Sequence, residues 1–167
     1  LSQYPSISAG QQITASLLTQ MLPLWAVKPA ATSRSATTTV ADDPDLALSL
    51  PRTGTWAFGV WLNYTGGTLG SSDLKITVNY TGTSSFGVWG VNGITTASTS
   101  QLNAGGAALA GTLALGTSGG TFFTADIKGT VVTTTTGVLS LQWAQNTSNA
   151  TATNLRQGCW IRAWQIS

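Results

Sequence analysis

A chain of 167 residues fits one domain and can bury a core without disulfides. Charged residues make up only 7%, the net charge is +2, and the seven basic residues are scattered, so no nucleic-acid footprint is present. The sequence has no His and no Glu, which excludes a Ser-His-Asp or Cys-His nucleophile system.

The first 29 residues differ from the rest and are expected to form an arm, with a sandwich domain over residues 30–167. Thr14 is a good helix N-cap, and Ala15 to Leu22 reads as a short helix that stops before Pro23. Leu17, Leu18, Met21 and Leu22 give it one apolar face. So short a helix is marginal alone, so this face is expected to dock on its own sandwich, a sister subunit or a larger body. Pro23, Pro29 and Ala30-Ala31 read as a connector.

From Thr32 the hydrophobic period becomes two. Ser35 to Val40 reads as a Thr-rich strand, Asp42-Asp-Pro-Asp45 as an acidic turn, and Leu46, Leu48 and Leu50 as one face of a further strand. Trp56, Phe58, Val60, Leu62 and Tyr64 line one face of the strongest strand, opposite Ala57, Gly59, Trp61 and Asn63. Leu74, Ile76, Val78 and Tyr80 alternate with Lys75, Thr77 and Asn79. Phe86 to Val91 is another strand, and one more is expected around Leu109, Leu113 and Leu115.

The last third holds three strand-like runs. In the first, Phe123, Ala125, Ile127 and Val131 oppose Thr124, Asp126, Lys128 and Thr130. In the second, Leu139, Leu141 and Trp143 share a face. The third is Cys159 to Ile166, reached through a polar loop over residues 146–154. Half-buried strands need a second apolar sheet to cover them, which argues for an all-β antiparallel sandwich.

Candidate chemistry is sparse. Asp73 and Asp126 are the carboxylates that a glycosidase reading would pair, and solvated surface groups are the simpler account. Asp42, Asp43 and Asp45 invite a calcium reading, but turn-forming Asp around Pro explains them as well, so no metal or other cofactor is assigned. Cys159 is the only cysteine, so no internal disulfide can form, and a buried or interfacial thiol is expected. Four Asn-X-Thr/Ser patterns, at Asn63, Asn79, Asn146 and Asn149, match the glycosylation acceptor and matter only in a glycosylating source. No apolar stretch is long enough to span a bilayer, and no signal-peptide pattern is visible at the start. The missing initiator Met leaves trimming or a longer parent open.

The seven Trp residues carry the strongest signal. Trp56 and Trp143 lie on apolar faces and are expected in the core. Trp61 and Trp89 lie opposite the main apolar faces of their strands. Trp160, Arg162 and Trp164 share a face against Cys159, Ile161 and Ala163. Exposed Trp and Arg mark interaction hot spots. The readings, in order, are subunit packing through Trp160, Arg162 and Trp164, burial under a loop, and stacking on sugars through Trp61 and Trp89.

Thr32-Ser-Arg-Ser-Ala-Thr-Thr-Thr39, Asp43-Pro-Asp-Leu46, Trp143-Ala-Gln-Asn-Thr-Ser-Asn-Ala-Thr-Ala-Thr153 and Gly158-Cys-Trp-Ile-Arg162 resemble a domain of minor tail, fibre and small virion proteins in tailed phages of actinobacteria. Ala9-Gly-Gln-Gln-Ile-Thr-Ala-Ser-Leu-Leu18 resembles the lead-in helix of such proteins. The Gly-aromatic-aliphatic-Arg final strand is also similar to jelly rolls of the tumour-necrosis-factor and C1q type, which form trimers. Cys159 and Trp164 depart from that pattern, standing where small or polar residues are expected. The resemblance implies a non-enzymatic virion protein, a tail appendage or capsid decoration, with an antiparallel jelly-roll sandwich and an N-terminal arm. It implies a homotrimer that assembles in the host cytoplasm and is exposed on the particle. Trp160, Arg162, Trp164, Leu17, Leu18 and Met21 would lie at its contacts. Expected partners are sister subunits, other virion proteins and a host-surface glycan, with no nucleic acid and no membrane insertion. The alternative is a carbohydrate-binding module using Trp61 and Trp89.

Overall fold

A computed structural model describes residues 8–19, 22–95 and 101–167. The described chain forms one short helix, α1 (Ala15–Thr19), and twelve strands. These are β1 (Leu24–Val27), β2 (Thr32–Arg34), β3 (Ala41–Leu50), β4 (Gly54–Thr65), β5 (Leu74–Tyr80), β6 (Ser84–Ile94), β7 (Gln101–Ala108), β8 (Thr112–Leu115), β9 (Phe123–Thr133), β10 (Gly137–Gln145), β11 (Thr153–Leu155) and β12 (Trp160–Gln165).

Two antiparallel sheets pack face to face as a β-sandwich. The larger runs β1-β12-β4-β9-β6-β7, with β11 joining β4 to β2, and the smaller runs β3-β10-β5-β8. The alternation in the sequence decides which side chains meet between them. Trp56, Phe58, Val60, Leu62, Tyr64, Ile127, Val131 and Ile161 come from the larger sheet, and Leu46, Leu50, Leu74, Ile76, Val78, Leu139, Leu141 and Trp143 from the smaller. Pleating sends alternate side chains to one side, so a single register buries each set together.

Glycine matters at two places. Gly158 has φ of +87° in the turn before β12, a conformation that a Cβ would strain. Gly129 lies where a Cβ would strike the Phe58 ring and stand 2.6 Å from the Val88 carbonyl oxygen.

Several sequence expectations need correction. Leu24–Val27, assigned above to the arm, pairs with β12 and belongs to the larger sheet. Residues 35–40 are not a strand; pairing there is confined to Thr32–Arg34, against β11. The acidic turn at 42–45 is the first half of β3, where the pairing with β10 shifts register between Ser140 and Gln142. Pro44 is accommodated because β3 is an edge strand. The polar loop at 146–154 ends in the short strand β11. Strand β7 went unseen because Gln101–Ala108 is Gly- and Ala-rich and carries no apolar alternation. The helix ends at Thr19 within the described residues, and Thr14 caps it as expected, its Oγ1 accepting from the Leu17 N–H at 3.2 Å. Gln20, Met21 and residues 1–7 and 96–100 lie outside the described residues.

Candidate functional site

The outward face of the larger sheet gathers most of the unburied aromatics. Ladder pairing lays them out in rows. One row reads Val27, Trp160, Trp61, Asp126, Asn92; the next reads Trp25, Arg162, Gly59, Lys128, Gly90; a third reads Trp164, Ala57, Thr130, Val88. Trp25 is 64% exposed and stacks on Trp160, with ring centroids 6.3 Å apart and planes 14° from parallel. The Arg162 guanidinium lies 5.0 Å from the Trp160 ring centre and 5.4 Å from that of Trp164. Gly59, beneath it, has no side chain and leaves this cation room to lie flat. Farther across, Phe86 and Val88 of β6 are also exposed. Between the two apolar zones Lys128 and Asp126 form an exposed ion pair at 2.8 Å.

The structure therefore brings Trp160, Arg162 and Trp164 together on one solvent-facing surface. The sequence reading missed Trp25. Its strand has only four residues between two prolines, too few for a period to register. Trp61 joins the face, half-buried beside Trp160. Trp89 does not, and its expected outward position is wrong. It is 1% exposed on the inner face, with Nε1–H donating to the Ala108 carbonyl at 3.1 Å. Register against β9 sets Val91 beside Ile127 and Val88 beside Thr130, so Trp89 and Val91 point inward and Phe86 and Val88 outward. Ile13, Leu18 and Leu22 are 58%, 53% and 67% exposed, and Leu17 is half-buried.

The carboxylates have their own partners. Asp73 is 1% exposed, not a solvated surface group, and accepts from the backbone N–H of Gly70 at 3.1 Å and of Thr117 at 2.9 Å. It ties two loops together at the head of β5. Asp126 lies on the outer face of the other sheet with Lys128, so the two are not an opposed pair. Asp42 accepts from Ser140 Oγ at 2.6 Å and from Gln142 Nε2 at 3.2 Å. Asp43 and Asp45 take a cation from the chain itself: Lys28 Nζ stands 2.8 Å from Asp43 and 3.0 Å from Asp45. Lys28 and Asp43 are both fully buried. Among the described residues no group of three or more metal-ligating side chains forms.

Arg34 closes this region from outside. Its guanidinium lies 4.3 Å from the Trp143 ring centre and donates to the carbonyls of Ala41, Asp42 and Trp143. Gln145 is fully buried; its amide donates to the Thr151 carbonyl at 2.7 Å and accepts from the Asn149 N–H at 3.0 Å. The Trp143-to-Thr153 stretch is thus built to pin its own loop. Cys159 is buried, and burial pushes its thiol above the ordinary range, which makes it a poor nucleophile.

No protein-family model matches the chain, and no curated protein matches it significantly. The phage resemblance rests on the residues quoted for it. No described helix is long and apolar enough to cross a membrane.

Proposed function

We propose that this chain is a non-enzymatic structural protein of a phage particle, a tail appendage or capsid decoration that assembles as a homotrimer through the outer face of the larger sheet. The carrying observation is the outward ladder of exposed Trp25 and Arg162 with half-buried Trp160 and Trp164. Monomers avoid contiguous apolar patches of this kind, and aromatics with Arg typify the core of subunit contacts. The low charge of the chain fits permanent packing, because few charges need desolvating.

The strand order supports the jelly-roll expectation. With the β6–β7 hairpin set aside as an insertion, the sheets run β1-β12-β4-β9 and β3-β10-β5-β8. Two four-stranded sheets between which the chain crosses back and forth in this order are the pattern of a jelly roll. The arm enters through β1, beside β12, and its exposed Ile13, Leu18 and Leu22 fit an anchor to a larger body or to sister chains. Immunolabelling of intact particles under the electron microscope is the test. Label on the tail or on the capsid would place the protein, and particles that never carry it would end the reading.

A second reading uses the same face. The stacked pair of exposed Trp25 and half-buried Trp160, with Trp61 beside them, forms a flat aromatic strip suited to sugar rings. Binding to a cell-wall glycan array that is lost in Trp25→Ala, by a protein that sediments as a monomer, would favour it.

A further inference from the structure

Lys28 and Asp43 are fully buried against one another. Lys28 Nζ lies 2.9 Å from Asp43 Oδ1 and 2.8 Å from Oδ2, nearly equidistant from the two oxygens that flank the carboxyl carbon. A second carboxylate, Asp45, stands 3.0 Å from the same nitrogen and is 30% exposed. The Trp143 Nε1–H donates to Asp43 Oδ2 at 3.0 Å, and the Asp45 backbone N–H donates to Oδ1 at 3.1 Å. Lys28 is itself fixed: its N–H donates to the Cys159 carbonyl at 2.7 Å, and its carbonyl accepts from the Gly158 N–H at 2.9 Å. An amine held against a carboxyl carbon, N–H donors on both carboxyl oxygens and a third group able to move protons are the parts that amide formation needs.

We propose that Lys28 and Asp43 join spontaneously in an intramolecular isopeptide bond, with Asp45 carrying the proton. One Nζ proton passes to Asp43 Oδ1, leaving a free amine beside a neutral carboxyl group. The amine lone pair attacks Cγ, and negative charge develops on Oδ2 against the Trp143 N–H. Asp45 takes a second proton from the nitrogen and returns it to Oδ1, which departs as water when its bond to Cγ breaks. The products are one amide and one water, with Asp45 as it began. Nothing is oxidised or reduced, and no co-reactant is consumed. Burial favours this direction, since a buried ion pair carries a desolvation cost that a neutral amide avoids. The exposed side of Asp45 gives the released water a way out.

Lys28 follows β1 in the larger sheet, and Asp43 lies in β3 of the smaller, so the bond staples the two sheets. Without it, β1 is held by its ladder to β12 and by packing. With it, tension on the arm passes into a covalent link. That consequence rests on the arm being the anchor; the bond itself does not.

Intact-mass spectrometry of the denatured full chain should give a mass one water below that of the sequence. After cleavage at Arg34 and Arg52, the stretches carrying Lys28 and Asp43 should remain joined as a branched product with two amino termini. Lys28 should also resist acylation in the unfolded chain. Lys28→Arg and Asp43→Ala should each give the full mass. Asp45→Asn, folded by its circular dichroism, should give the full mass or convert at least about tenfold more slowly. A wild-type chain of full mass whose Lys28 is acylated on unfolding overturns the proposal, whether or not any variant folds. Conversion of Asp45→Asn at the wild-type rate overturns the role of Asp45. Both readouts are independent of whether the protein joins a particle.

Discussion

Trp25 and Trp160 stack at 6.3 Å across the β1–β12 ladder, one from the segment where the arm joins the sandwich and one from the final strand. The first and the last strand of the fold thus meet in a single outward-facing aromatic pair. Sister subunits related by a cyclic axis would each present this same pair at the shared seam. Replacing Trp25, Trp160 and Trp164 together by Ser should leave a folded protein that sediments as a smaller species. Trp25 is exposed and Trp160 and Trp164 are half-buried, so the variant's unfolding free energy measured at high dilution should fall by about 1–3 kcal/mol without loss of the fold. A wild-type protein that is already monomeric at micromolar concentration would contradict the assembly reading.

Where the arm is cut should matter sharply. Removing residues 1–22 should leave the sandwich folded but unable to join the particle, since Ile13, Leu18 and Leu22 are exposed in the isolated chain. Removing seven more, through Pro29, takes away β1 and Lys28. That leaves the Asp43 carboxylate buried without its cation, a loss of roughly 3–5 kcal/mol. Denaturant titration of the two truncations should separate them clearly. Normal incorporation of the shorter truncation would sink the anchor reading.

Asp73 is a structural hub, and Asp73→Ala should show it. The buried Thr117 N–H would lose its acceptor at about 1–3 kcal/mol, while the exposed Gly70 N–H can turn to water and costs less. Asp126→Ala, by contrast, removes half of an exposed ion pair and should change stability by well under about 1 kcal/mol. Urea denaturation of both variants checks this. A glycan hydrolase activity lost in both would instead revive an enzymatic reading.

Tyr64 points the other way. Its ring is fully buried in the core against Phe123, while its hydroxyl has no hydrogen-bond partner. Tyr64→Phe should therefore hold or raise the melting temperature, since it deletes a buried polar atom and keeps the ring. A clear drop would mean that the hydroxyl has a partner in solution.

Alkali should weaken the fold through Cys159. Burial holds its thiol above the ordinary range, so the unfolded chain ionises first as pH rises. Its contribution to stability is complete below the ordinary thiol range and is lost as pH climbs through the raised folded value. Cys159→Ala should flatten this part of the stability profile, from the ordinary thiol range at about pH 8.5 upward. In the native protein the thiol should also resist alkylation until denaturant is added.

Period two was legible wherever a strand is long and buried on one side. Trp56 to Tyr64, Leu74 to Tyr80, Leu139 to Trp143 and Cys159 to Ala163 all bury the side chains that alternation selected. From that pattern follow the sandwich and the outward set of Trp160, Arg162 and Trp164, because an apolar face has to be covered and its opposite face does not. Composition shows that these 167 residues offer no imidazole. Register was not legible. A strand of four residues such as β1, or one of Gly and Ala such as β7, is set by the neighbour it pairs with, so Trp25 and the hairpin partner of β6 were invisible. The same reason misplaced Trp89, whose inward direction is set by its pairing opposite Gly129 of β9 rather than by its local neighbours. Nor does any local pattern join Lys28 to Asp43. They lie fifteen residues apart in different sheets, and only face-to-face packing of those sheets puts the amine against the carboxylate.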